Sequence, residues 1–229
     1  MAESPATGVP ARGDLPVSRV RTATKFLQKF RKLNDKYEQR FRPHIDKIRK
    51  NYAGSSPGKL PSIVDECLEA HSRVYVVNAL LAALNWRLDV APETDLPNLV
   101  PEAPIQSLER GTICFLDYLG FDRDSTCPLL VVEAKRPSSA LPSLAKLSDD
   151  SRSPSFPEVI SRGLTGERLL GQWPQWLSTL RDYIRSVHAR AAQATKRVVL
   201  TNGDWLMLFL DPSDAFLEGG TCNAKYSSS

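Results

Sequence analysis

The stretch LLVVEAK at positions 129–135 decides the fold of this chain and the place of its candidate site. Four consecutive apolar residues, followed after Glu-x-Lys by Arg136-Pro137, predict a short strand that is buried on both faces of a sheet. Side chains alternate along a strand, so Glu133 and Lys135 project from the same face and can act on one small volume. Burying these charges is costly unless they are paired, bind a metal or take part in chemistry.

Two ordinary interpretations compete with a functional one at this stretch. Glu-Ala-Lys is also a common composition of surface helices, although the β-branched run and the following proline favour a strand. A purely structural salt bridge between Glu133 and Lys135 is the second alternative.

A long apolar stripe lies upstream, in residues 62–88. Its members are spaced alternately four and three residues apart and are Ile63, Cys67, Ala70, Val74, Val77, Leu81, Leu84 and Leu88. This spacing predicts one amphipathic helix, which begins at Pro61-Ser62 with Asp65 in a capping-box-like position. Glu69 and Arg73 lie one turn apart beside the stripe, where the simplest interpretation is an exposed ion pair.

These motifs together resemble a known nuclease superfamily. Asp117, followed by an apolar strand that ends in Glu133-x-Lys135, is similar to the metal site of PD-(D/E)XK nucleases. The helix resembles the first helix in the N-terminal nuclease domain of type I restriction endonuclease subunits. The residues that carry this second likeness are Glu69, Ser72, Arg73, Leu80, Leu81, Leu84, Asn85 and Trp86. Asn85 replaces the glycine of that pattern and also tolerates a left-handed backbone.

The resemblance covers residues 62–210 and implies an α/β fold. We expect a restriction-endonuclease-like core, with a mixed central β-sheet flanked by helices and an N-terminal basic helical extension. Pro-broken segments around Leu99 and Ile105 supply the first strand, and residues 110–119 the next, with Asp117 toward its end and Gly120 beginning a turn. Asn202-Gly203 between two apolar runs predicts a β-hairpin.

The resemblance also implies a site. Asp117, Glu133, the Ala134 carbonyl and Glu69 would bind Mg²⁺ or Mn²⁺, which prefer oxygen ligands. Lys135 would hold or deprotonate the attacking water, so the catalytic set is Glu69, Asp117, Glu133 and Lys135. Glu66 lies one turn from Glu69 and is the alternative.

One part of the family pattern is missing after the Glu-x-Lys strand. Many relatives carry Gln four residues before a Tyr on the next helix, but Thr179 stands four residues before Tyr183. We therefore expect Tyr183 to pack in the core of a helix that has Pro174 in its first turn.

Composition excludes several other classes. The chain has 229 residues and 41% apolar content, enough for one sizeable core. Its four cysteines lack metal-binding spacing, and its three histidines are scattered, so neither a zinc site nor a Ser-His-Asp triad is indicated. The glycine-rich segment 54–60 fails the phosphate-loop pattern, so no nucleotide cofactor is expected. Without a membrane span or a secretory segment, we expect a cytoplasmic protein.

Positive charge is concentrated in the N-terminal region. Residues 1–50 hold 13 Lys and Arg against 5 Asp and Glu. We divide the chain into a disordered tail (1–17), a basic helical arm (18–55) that Pro43 kinks or divides, a nuclease-like domain (56–215) with a mobile insertion (137–165), and a tail (216–229) at which the sequence can be a fragment. Candidate nucleic-acid contacts are Lys25, Lys29, Arg31, Lys32, Arg73 and Arg136. The arm could equally pack on the domain or on another subunit.

The sequence thus predicts a metal-dependent DNA endonuclease of restriction and defence type. A further domain or subunit would supply target recognition or ATP-driven motion, and a homo-oligomer remains open. The alternative is a noncatalytic nucleic-acid-binding or assembly module that retains the fold, which the missing Gln favours slightly.

Overall fold

A computed structural model describes residues 17–44, 47, 69–70, 72–88, 98–122, 127–136, 139–144, 154–191, 195–217 and 224–228. Within these ranges one sheet has six strands, in the order of the sequence: β1 (Leu99–Gln106), β2 (Ile113–Phe121), β3 (Pro128–Ala134), β4 (Arg197–Thr201), β5 (Trp205–Phe209) and β6 (Ala224–Ser228). The β3–β4 pair is parallel and the other pairs are antiparallel. The helices are α1 (Val17–Lys36), α2 (Asn78–Ala83), α3 (Phe156–Leu164), α4 (Trp173–His188) and α5 (Pro212–Phe216). The predicted α/β class, with a mixed sheet flanked by helices, is confirmed.

Strand β3 is buried on both faces, as its apolar run predicts. Val131 packs into the larger core, to which α3, α4 and α5 contribute. Val132 packs on the opposite face with Val77 and Leu81 of the α2 region. Both valines are at most 1% exposed. The strand therefore joins two cores, one on each side of the sheet.

Helix α2 follows a π-helical turn, Arg73–Val77, and ends before Asn85, the residue that stands in place of the family's glycine. Asn85 has a φ of 64°, and its N–H donates to the Ala82 carbonyl over 3.1 Å. The Trp86 N–H donates to the Leu81 carbonyl over 3.0 Å, which completes the hydrogen bonds of a Schellman motif. Leu88 lies beyond the helix, and Val74 and Leu84 of the predicted stripe are exposed, whereas Val76 and Leu80 are buried. The prediction that the stripe forms the buried face is therefore wrong at these positions. Residues 62–68, including Glu66, lie outside the described residues.

Gly120 differs from its predicted role. It lies inside β2, paired with Leu99, and does not begin a turn. A Cβ atom at this position would lie 2.6 Å from Cζ3 of Trp86. The glycine therefore allows the indole to pack directly on the strand, which keeps the end of α2 close to the sheet.

Two predicted irregular segments contain regular structure. Residues 156–164, inside the segment expected to be an insertion, form α3, whose capping box joins Ser155 and Glu158. The apolar spacing of α3 buries Ile160 completely in the larger core. Residues 224–228, expected in the C-terminal tail, form β6 on the edge of β5.

The predicted hairpin joins β4 and β5, with Thr201 paired to Leu206. Only Gly203 uses a positive φ, 93°, whereas Asn202 acts through its side chain. The Asn202 Oδ1 atom accepts hydrogen bonds from the N–H groups of Asp204 (2.9 Å) and Trp205 (3.0 Å). The turn is therefore held by an Asx-type interaction.

Helix α4 is tied to the β1–β2 loop by a buried carboxylate. Asp182, 1% exposed, accepts hydrogen bonds from Ser107 Oγ (2.5 Å) and the Glu109 N–H (3.2 Å). The Leu108 N–H donates to Ser186 Oγ over 2.9 Å. These bonds fix the position of α4 against β1 and β2. Pro174 lies in the first turn of α4, as predicted.

Helix α1 packs on the domain through one face. Phe30, Asn34 and Tyr37 are buried, and the ring of Phe41 stacks on Tyr75 with centroids 4.3 Å apart. A π-helical turn, Tyr37–Phe41, precedes Pro43, which has no N–H to continue the regular pattern. Across the described residues, no helix combines the length and apolarity that a membrane span requires.

The contact between Gly120 and Trp86 generates a stability prediction. We expect Gly120→Ala to lower the free energy of unfolding by about 1–3 kcal/mol, because the added methyl overpacks against the indole. Urea denaturation measures this cost. In a Trp86→Leu background, the same substitution should cost at least about 1 kcal/mol less. An equal cost in both backgrounds would show that the indole contact is not the cause.

Candidate active site

Asp117 lies at the middle of β2, not toward its end as predicted. The backbone pairing between β2 and β3 includes Tyr118 and Val132. At the next residue, Asp117, the side chain makes the hydrogen bond to β3. The Asp117 Oδ2 atom accepts a hydrogen bond of 2.7 Å from the Ala134 N–H. The strand extends beyond this point because it remains paired with β1. The carboxylate is therefore held inside the sheet.

A local distortion of β1 and β2 creates this position. Glu102, opposite Asp117, has a φ of 47°, which is unusual for a residue with a side chain. Leu116 packs into the larger core, but Tyr118 packs into the core on the other face, although regular alternation would place them together. The change of face at Asp117 leaves three consecutive buried residues in β2.

Glu133 and Lys135 project from the same side of β3, as the alternation predicts. The Lys135 Nζ atom lies 2.8 Å from Glu133 Oε1, and both side chains are almost buried. Nζ also lies 5.6 Å from the ring centroid of Trp176 on α4. The Glu133 Oε2 atom is buried and has no hydrogen-bond partner among the described residues. The salt bridge considered above is thus present, but it supplies a partner to only one of the two oxygens of Glu133.

Arg73 reaches the site from the turn before α2. Its Nη1 atom lies 3.0 Å from Asp117 Oδ1 and forms a second ion pair with Glu102. The guanidinium also lies over the Tyr118 ring, 5.3 Å from its centroid. Sequence reasoning considered Arg73 as a partner of Glu69 or a nucleic-acid contact and missed Glu102. The strand register could have placed Glu102 opposite Asp117, but no sequence signal predicts its positive φ.

The remaining predicted residues divide between the site and the surface. Glu69 lies within electrostatic range of the site, where Lys135, Asp117 and Arg73 act on its pKa. Arg136 also acts on Glu69, and its Nη2 atom donates to Gln172 Oε1 over 3.3 Å. Tyr183 is 8% exposed and packs in the larger core, as predicted. The remaining nucleic-acid candidates have exposed side chains on α1: Lys25, Lys29, Arg31 and Lys32.

Negative charge exceeds positive charge in this cluster. Four carboxylates (Glu69, Glu102, Asp117 and Glu133) surround the cations of Arg73 and Lys135. Burial raises the pKa of Glu133 to about 7, because the effect of Lys135 does not fully compensate for burial and for the nearby Asp117 and Glu69. Burial likewise raises the pKa values of Asp117 and Glu69, against the opposing effects of Arg73 and Lys135. The site therefore favours an additional positive charge or a proton.

Burial also acts on the other groups of the site. It lowers the pKa of Arg73, but Asp117, Tyr118 and Glu102 raise that pKa by more. Burial, Glu133 and other neighbours raise the pKa of Tyr183. Arg73 therefore remains a cation and Tyr183 a neutral phenol.

The donor set fits a hard divalent cation in its chemistry. Asp117, Glu133 and Glu69 supply carboxylate oxygens, and the unpartnered Oε2 of Glu133 is an acceptor that such an ion would satisfy. Arg73 and Lys135 now hold the other oxygens of Asp117 and Glu133. In the described part of the chain, no three Asp, Glu, His or Cys side chains are already arranged as a metal site. A bound ion would therefore have to rearrange these ion pairs.

The raised pKa of Glu133 predicts how stability depends on pH. A carboxyl group with a folded pKa of about 7, above its ordinary value of 4.5, stabilises the fold fully below pH 4.5. This contribution is lost as the pH rises through 7. We expect the metal-free protein to have a lower Tm at pH 8 than at pH 5.5, and Glu133→Gln to reduce this difference by at least about 2 °C.

Thermal unfolding in a chelator measures both quantities, with exposed Glu109→Gln as the control. A pH dependence that is identical in wild type and Glu133→Gln would contradict the assignment of the titration to Glu133.

Comparisons of this chain with protein-family models, with curated proteins and with solved structures find no match.

Proposed function

We propose that this chain is a metal-dependent DNA endonuclease that hydrolyses phosphodiester bonds, with a restriction-endonuclease-like core of the PD-(D/E)XK type. One observation carries the proposal. Asp117 of β2, Glu133 at the end of β3 and Lys135 just after it lie in one buried cluster with excess negative charge. Glu69, from the helical segment before α2, interacts electrostatically with this cluster. A packed scaffold gains nothing from carboxylates whose pKa values burial raises, whereas a bound divalent ion would supply the positive charge that keeps them ionised.

The ligands of the ion would be Asp117, Glu133, Glu69 and the Ala134 carbonyl. A bound Mg²⁺ or Mn²⁺ supplies Lewis acidity toward the scissile phosphate and lowers the pKa of a water molecule. Asp117 is already fixed by the Ala134 N–H, so one ligand is preorganised by the sheet. Glu69 interacts electrostatically with Lys135 and Asp117, and it would have to move toward a bound ion to complete the set.

Lys135 would act on the attacking water. Its ammonium is confined between Glu133 and the Trp176 ring, and its backbone N–H donates to the Thr201 carbonyl over 2.6 Å. The side chain therefore starts from a fixed place. From there it orients the water and offsets the negative charge that develops on the phosphate in the transition state.

The biological setting belongs to the same proposal. We infer a role in defence against foreign DNA in the cytoplasm, with a further domain or subunit that selects the target or moves along DNA. A homo-oligomer would present two such sites, one to each strand of a DNA duplex.

A second candidate function is nucleic-acid binding without catalysis. Four lysines form an exposed stripe on α1, at spacings of four, three and four residues: Lys25, Lys29, Lys32 and Lys36. This stripe faces away from Phe30, Asn34 and Tyr37, which pack on the domain. The stripe is therefore accessible to a phosphate backbone while the helix remains attached.

Cleavage assays test the enzymatic proposal. With Mg²⁺ or Mn²⁺, we expect the protein to cut DNA, and Lys135→Gln, Glu133→Gln and Asp117→Asn each to reduce the rate by at least about 100-fold. Exposed Lys196→Gln is the matched control and should retain the wild-type rate. Supercoiled, linear and single-stranded DNA, together with RNA, would be compared under the same conditions. Undiminished cleavage by Lys135→Gln would rule out the assigned mechanism.

Salt-dependent binding tests the lysine stripe. Replacement of Lys25, Lys29, Lys32 and Lys36 by Gln should weaken DNA binding. It should also reduce the slope of log affinity against log salt by up to about 0.9 for each phosphate that the protein no longer neutralises. Fluorescence anisotropy with a labelled duplex measures the slope, and Lys196→Gln again serves as the control. An unchanged slope would exclude the stripe as a DNA-binding surface.

A further inference from the structure

We propose that Arg73 couples metal binding to phosphate binding. In the metal-free protein it neutralises Asp117, and when a divalent ion takes its place there it binds a phosphate of the DNA. This inference rests on the proposed function, because it assigns to Arg73 a task within the same site. It makes Arg73 a substrate-contacting residue and not only a support for the fold.

Arg73 and a divalent ion would compete for one oxygen of Asp117. The Oδ2 atom of Asp117 is engaged by the Ala134 N–H, so Oδ1 is the oxygen directed at a cation. Arg73 Nη1 lies 3.0 Å from this Oδ1. A divalent ion that binds Asp117 at this oxygen would approach the guanidinium closely, and the two positive charges repel each other strongly in a buried site. Metal binding and the Arg73–Asp117 pair therefore oppose each other.

On its outer side, Arg73 is anchored weakly. Its other carboxylate partner is Glu102, whose side chain is 57% exposed. Because the Glu102 end of this pair faces solvent, water can replace Arg73 at that carboxylate, which lowers the cost of breaking the pair. The Nε atom of Arg73 is buried without a hydrogen-bond partner in the part of the chain that the structure describes. One nitrogen thus holds the ion pairs with both carboxylates, while a further donor is unused.

The guanidinium of Arg73 is also suited to binding a phosphate. A planar guanidinium with several donors matches the oxygens of a phosphate group. The Tyr118 ring supports one face of Arg73, and the Tyr118 hydroxyl donates to Asn78 Oδ1 over 2.7 Å, so this platform stays in place when the ion pairs change. Released from Asp117, Arg73 remains beside the site, where the phosphate of a cleavable strand must lie.

The test measures Mn²⁺ binding to the full chain by calorimetry, without DNA. We expect Arg73→Gln to bind Mn²⁺ at least about fivefold more tightly than wild type, because the competing cation is gone. A brace that merely positions Asp117 would give the opposite sign. Asp117→Asn provides the control, since it should bind Mn²⁺ more weakly than wild type.

The reciprocal measurement uses a labelled DNA duplex in the Lys135→Gln background, which prevents cleavage. Mn²⁺ should increase DNA affinity at least about fivefold, and Arg73→Gln should reduce this gain to the part that the ion itself supplies. Glu102→Gln leaves the Arg73–Asp117 pair intact and tests the proposal even if Arg73→Gln is poorly folded. It should enlarge the gain by about two- to fivefold, the equilibrium factor of one exposed ion pair.

The outcomes separate this inference from the proposed function. Mn²⁺ binding that depends on Asp117 but is unchanged or weakened in Arg73→Gln would overturn the coupling and leave the metal site standing. A Mn²⁺-dependent gain in DNA affinity that Glu102→Gln does not alter would also overturn it. Absence of Mn²⁺ binding in wild type would overturn both proposals together.

Discussion

Between β2 and β3, a carboxylate does what the backbone does elsewhere in the sheet. The Asp117 carboxylate accepts a hydrogen bond from the Ala134 N–H, in place of a backbone carbonyl of β2. This bond fixes the relative position of the two strands. Because the side chain is tied to the sheet on one oxygen, its other oxygen faces Arg73 and the rest of the charged cluster. The ion pair of Arg73 with Asp117 follows from this arrangement.

The surrounding packing must compensate for this charge. Burying these carboxylates raises their pKa values and opposes folding. The cluster therefore depends on the apolar cores on both faces of the sheet. Val131 and Val132 connect these cores directly beside Glu133. The same strand therefore provides apolar burial in its first half and the costly charges at its end, which is the usual relation between a rigid scaffold and a strained functional site.

The sequence predicts the parts of this structure that depend on local chemistry. The apolar run before Glu133 predicts β3, Asn85 predicts the end of α2, and Asn202-Gly203 predicts the β4–β5 hairpin, since each is governed by alternation or backbone conformation. It does not predict contacts between distant segments. Gly120 resembles a turn residue until Trp86 is placed against it, and the Arg73–Glu102 pair depends on the distortion opposite Asp117.

The parallel pairing of β3 with β4 has a consequence for how the chain reaches this structure. Strands β1, β2 and β3 follow one another as antiparallel neighbours, so Asp117 and Glu133 can meet through contacts of short sequence separation. Strand β4 joins them only after residues 135–196, with α3 and α4, have crossed the sheet. Closure of such a long loop is slow. We therefore expect the carboxylates to come together first through local contacts, and Thr201, whose carbonyl accepts the Lys135 N–H, to join them later with β4.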